Sequence, residues 1–105
     1  MSAVRDKVIH TVENIDEVVE LFYQQKISEA LDQFMDILAE ITETVDALFV
    51  YKEENKDFSL DREKITEMLT EAMNALEEKD YVLMADVLQY DFREYLEELE
   101  EGLEE

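Results

Sequence analysis

The chain has 105 residues, 30 acidic and nine basic, for a net charge of −21; 47% of it is apolar, and it holds no cysteine, no proline and one glycine, Gly102. That balance rules out a disulfide framework or a thiolate metal site. It also disfavours nucleic acid and anionic membranes as partners, since phosphate binding needs a basic patch, and leaves few turn residues for a hairpin-rich β fold.

An apolar content of this size lets a chain of this length bury one core without staples, so the 37% of charged residues does not make it disordered. No apolar run approaches the roughly 18 residues of a membrane span, and the first residues lack the apolar block of a signal peptide. A cytoplasmic protein with a single domain over residues 1–105 is expected.

The first helix is expected over residues 3–25, with Ser2 able to cap it. Its stripe is Val8, Val12, Ile15, Val19 and Phe22, flanked by Val4, Ile9 and Val18. Extending that stripe lands on Lys26, Glu29 and Gln33, which are all polar. The phase therefore breaks, and a tight turn is expected over residues 24–27, with Ser28 as the next N-cap. The second helix, over residues 28–53, organises the rest. It carries one stripe of Ile27, Leu31, Phe34, Leu38, Ile41, Val45 and Leu48, and beside it Ala30, Ile37, Thr44 and Tyr51. Two adjacent stripes make a face wide enough to touch more than one helix.

The polar stretch EENKDFSL then separates the halves. Asp61 caps a third helix over residues 61–78, with Leu60 and Ile65 as a hydrophobic staple. Ile65, Leu69, Ala72 and Leu76 form its stripe, thickened by Met68, Met73 and Ala75. A second phase break at Lys79, with Asp80 as cap, starts a fourth helix over residues 81–100 on Tyr81, Ala85, Leu88, Phe92, Tyr95 and Leu99. Its first two turns are apolar nearly all round, broken only by Asp86, and are expected to be deeply buried. The closing EELEEGLEE is expected to fray. The reading is all-α, an antiparallel up-down-up-down four-helix bundle. The alternative is a pair of helical hairpins completed by dimerisation. The turns QQKIS and EEKDY look alike, but the residues after them do not align as a repeat.

His10 is the sole histidine, so neither a zinc site nor the paired Glu-x-x-His of a helical di-metal bundle is present. No Ser-His-Asp set, phosphate loop or dinucleotide fingerprint occurs. No catalytic, metal-binding or cofactor-binding residue is assigned, and no cofactor is expected. Asp86, Asp91 and, more weakly, Asp36 are carboxylates on apolar helices; each either pairs with a base such as Arg93 or Lys79, faces solvent, or serves a site. The topology gathers Phe49, Tyr51, Phe58, Tyr90, Phe92 and Tyr95 at one pole. Aromatics at helical spacing ordinarily form core, but such an excess can also open a groove for a partner. Tyr51, Phe58, Asp86, Tyr90, Asp91 and Tyr95 are the candidate partner contacts.

Residues 79–92, KDYVLMADVLQYDF, resemble the signature of an uncharacterised bacterial family of short acidic all-helical proteins. The likeness rests on the Lys-Asp-Tyr opening, the pair Ala85 and Asp86, and the pair Tyr90 and Asp91. It implies a bacterial cytoplasmic protein and supplies no activity. In general shape the chain also resembles flagellar and secretion chaperones, an analogy of fold alone. The expected function is a non-enzymatic protein-protein interaction module, such as an adaptor or an export or flagellar-type chaperone. The alternatives are a self-assembling structural protein, as a homodimer, and a divalent-cation-dependent enzyme using Asp86, Asp91 or Asp36.

Overall fold

The stripes fold as helices in the computed structural model, which describes residues 3–103 and has no strand among them. Helix α1 is Ala3–Tyr23, α2 is Ile27–Glu54 and α3 is Arg62–Glu77. The fourth helix runs unbroken through three segments: α4 (Tyr81–Asp86), a π-helical segment (Val87–Arg93) and α5 (Glu94–Gly102). Ser2, the expected cap of α1, lies outside the described residues.

Two of the expected caps form. The Asp61 carboxylate accepts the Lys64 N–H at 3.1 Å, and the Asp80 carboxylate accepts the Leu83 N–H at 3.1 Å. Ser28 does not cap α2, which begins one residue earlier, at Ile27, after Lys26, whose side chain makes no cap bond. The reason lies in the preceding turn. The Lys26 N–H bonds the Leu21 carbonyl and the Gln25 N–H bonds the Phe22 carbonyl, each at 3.0 Å. This Schellman closure reverses the chain within three residues and fixes where α2 starts. The same pair of bonds recurs at the other tight turn, from Asp80 to Ala75 and from Lys79 to Leu76. Gln25 and Lys79 take the left-handed position, at φ 62° and 60°.

Helix α1 is the hub. It packs along α2 on one side and along all three segments of the fourth helix on the other, while α3 packs on α4 and the π segment. The result is a four-helix bundle measuring 41 × 27 × 19 Å. It is closely packed where α1 meets α2 and the fourth helix and where α3 meets α4 and the π segment; α2 and α3 are not closely packed on each other. One core joins all four helices, with Val8, Ile15 and Val18 of α1, Phe34, Ile41 and Leu48 of α2, Ile65 and Met68 of α3, and Met84, Leu88, Phe92 and Leu96 of the fourth helix. Thr11 and Thr44 are fully buried, and their hydroxyls bond each other at 2.8 Å, which sets the register of α1 on α2.

The fourth helix departs from expectation in two places. Its first turns are not buried all round: Val82 is 63% and Leu83 38% exposed. The helix lies on the outside of a flat bundle, so only the Met84, Ala85 and Leu88 side has neighbours to pack on. Nor does its end fray as far as Leu103; the last two residues of the tail expected to fray lie outside the described residues. Leu103 is buried, and Arg5 donates to the Leu103 carbonyl at 2.7 Å, pinning the end of α5 to the start of α1. Among the described residues no helix is long and apolar enough to cross a membrane.

Candidate acidic groove

The first half of α3 diverges from α5 and leaves a groove of about 580 Å³. Its walls carry seven carboxylates: Glu67 and Glu71 on α3, and Asp91, Glu94, Glu97, Glu98 and Glu101 on the π segment and α5. Buried faces of Met68 and Tyr95 form the floor. Helical phase explains the asymmetry. In the fourth helix Phe92, Tyr95, Leu96 and Leu99 turn inward, so the acids between them fall on the outer side.

One cation already sits in this groove. The Lys64 ammonium lies 4.5 Å from the centroid of the Tyr95 ring, over its face. The Tyr95 hydroxyl accepts the Asp61 N–H at 2.9 Å, so the ring is held between α5 and the cap of α3. The groove therefore offers a fixed aromatic plate ringed by negative charge. Its carboxylates are spread along two helices, and no three His, Asp or Glu side chains among the described residues converge as a metal site would require.

Of the six candidate contacts, the groove gathers Tyr90, Asp91 and Tyr95. Tyr90 is 61% exposed on the π segment, at the rim, and Asp91 is exposed beside it. Of the two readings of the aromatic pole, core or partly exposed groove, Tyr51 and Phe58 take the first. Both are buried and pack edge to face with ring centroids 5.0 Å apart. The linker folds back on the pole, because Lys52 donates to the Phe58 carbonyl at 2.6 Å and draws residues 55–60 inward. Phe58 then seals against Gly102, where an added Cβ would meet its ring at 3.4 Å.

Asp86 stands apart from the groove. It is half-buried and pairs with neither Arg93 nor Lys79; it accepts the Tyr23 hydroxyl at 2.6 Å. That bond, then burial, then the negative charge of Asp86 push the Tyr23 phenol up to about 12. Arg93 instead bonds Asp16 at 2.5 Å and Glu97 at 2.6 Å, and the Asp16 bond raises its pKa further. Asp36 is exposed on α2 and His10 is exposed on α1, its ring 3.6 Å from Glu40.

Glu97, Glu98 and Glu101 were not among the candidate contacts because the terminal run of glutamates reads as a solvated tail. The usable signal was their alternation with Tyr95, Leu96 and Leu99, which sets them all on one side of a packed helix. The family model of a domain of unknown function, DUF8042, matches residues 6–102. No curated protein and no solved structure matches the chain.

Proposed function

The chain thus belongs to the DUF8042 family, and on that footing we propose that it is a non-enzymatic interaction module that takes a basic, extended segment of a partner protein into the groove between α3 and α5. The observation that carries this is Lys64, whose ammonium over Tyr95, with carboxylates around it, stands in for a lysine or arginine of the partner. Carboxylates spread along two helices suit a row of positive side chains better than a single ion. Exposed Tyr90 at the rim adds apolar contact and a second ring face. The net charge of −21 draws such a segment in from a distance. An adaptor or a chaperone acting in a bacterial cytoplasm is the setting this reading fits.

The test is a titration of a fluorescent lysine- and arginine-rich peptide without apolar residues, followed by anisotropy. Binding should weaken at least tenfold in the double variant Glu94→Lys, Glu98→Lys and should fall steeply with added salt. Both glutamates are exposed, so the fold should survive. Equal binding by the variant would overturn the groove as the site.

A further inference from the structure

The loosely closed side of the bundle is a second surface, and it is apolar. Leu31, Leu38, Val45 and Phe49 lie on the flank of α2 that faces α3, and Leu69 and Leu76 on the flank of α3 that faces α2. All six are only partly buried although they touch the core. Met35 and Met73, at the outer edge of the same flanks by helical phase, are 62% and 39% exposed. Packed helices in proteins approach to roughly 8–10 Å, at which distance such flanks would be covered. Here they form an apolar seam along the molecule, edged with adaptable methionines.

We propose that this seam receives an amphipathic helix of a partner protein, with an apolar stripe laid between α2 and α3 and lysines or arginines along its flanks. Three observations select that occupant. The stretch from Leu31 to Val45 spans roughly 20 Å, about four turns of helix. Its exposed border carries acids, Asp46 and Glu53 on α2 and Glu63 and Glu77 on α3, among neutral residues such as Thr42, Thr66 and Thr70. At one end of the seam the Arg62 guanidinium already lies 4.3 Å from the Phe49 ring centroid, so the seam itself holds a cation on an aromatic face. A second copy of this chain would bring two molecules of net charge −21 together along acidic borders. With the groove reading this inference shares only the basic character of the partner; the surface and the mode of recognition are different.

The experiment uses the full chain and two labelled synthetic peptides of equal charge. One is an 18-residue helix former, roughly five turns long, with leucine on one face and lysine on the other; the second has serine in place of every leucine. The seam variant is Met35→Gln, Met73→Gln, both exposed positions, with circular dichroism to check the fold. The leucine peptide should bind the wild type and lose at least tenfold in affinity to the seam variant, while the serine peptide binds both alike. Equal affinity of the leucine peptide for variant and wild type would overturn the proposal, even if the groove variant loses the serine peptide. No binding of the leucine peptide, together with a dimer in sedimentation that the seam variant abolishes, would also overturn it and assign the seam to a second copy.

Discussion

Gln25 and Lys79 sit where glycine usually closes a helix. Both are left-handed, at φ 62° and 60°, and each donates the shorter-range bond of a Schellman turn. A side chain in that region costs roughly 1–2 kcal/mol through the clash of Cβ with the following carbonyl. Glycine has no such clash but orders a more flexible chain. Gln25→Gly and Lys79→Gly are therefore each expected to raise stability, by about 1 kcal/mol. Chemical denaturation checks this; a loss of stability would mean that the side chains make contacts worth more than the strain. Tyr23 gives a prediction in pH. Its phenol donates to Asp86, and its pKa, near 10 when unfolded, is raised to about 12 in the fold. The stabilisation this bond supplies is complete below pH 10 and is lost as pH rises through 12. An ultraviolet titration should show a tyrosine step near 12 that Tyr23→Phe removes. Survival of that step in the variant would assign it to another tyrosine.

The fourth helix shows what its sequence could and could not reveal. Met84, Leu88, Phe92 and Leu96 are buried at intervals of four residues. An α-helix advances 3.6 residues per turn, so each interval overshoots by roughly 40° and the stripe would rotate out of the core. The wider π turn over Val87–Arg93 absorbs the excess and keeps all four inward. It also places exposed Tyr90 and Asp91 at the mouth of the groove. Removing Tyr90 changes the interval between Leu88 and Phe92 to three, which an α-helix accommodates without the π turn. Deleting Tyr90 should thus leave helical content and the melting temperature nearly unchanged, whereas deleting Glu94 should turn Tyr95, Leu96 and Leu99 out of the core and lower the melting temperature sharply. Equal damage from both deletions, read by circular dichroism, would show that the π turn is not a one-residue accommodation. The breaks at Gln25 and Lys79 were legible because stripe phase changes there, and so were the caps at Asp61 and Asp80. The π turn was not, since an interval of four is also common in α-helices. Nor was the burial of Tyr51 and Phe58 distinguishable from exposure, because it depends on a linker held by Lys52, a contact with no periodic signature.

At the scale of the molecule one field governs stability and recognition, with opposite signs. The chain carries 30 acids and nine bases, and its described residues form a body of only 41 × 27 × 19 Å. At 0.1 M salt the screening length is about 10 Å, so at lower salt each carboxylate feels many others. Attraction is localised, as where Arg5 meets Glu100 at 3.5 Å and Arg93 meets Asp16 and Glu97. Exposed pairs of this kind contribute at most about 1 kcal/mol each. Repulsion involves nearly every helix face, so screening should relieve more than it removes. The melting temperature at neutral pH is expected to rise as sodium chloride is added from low ionic strength towards physiological levels; a flat or falling curve would mean that the ion pairs outweigh the repulsion. The same screening weakens the pull on a basic partner. In one salt series, then, the free chain should become more stable while its affinity for the polybasic peptide falls. That divergence separates an acidic surface built for attraction from one that merely keeps the chain dissolved, for which stability would rise with salt and no peptide affinity would be there to fall.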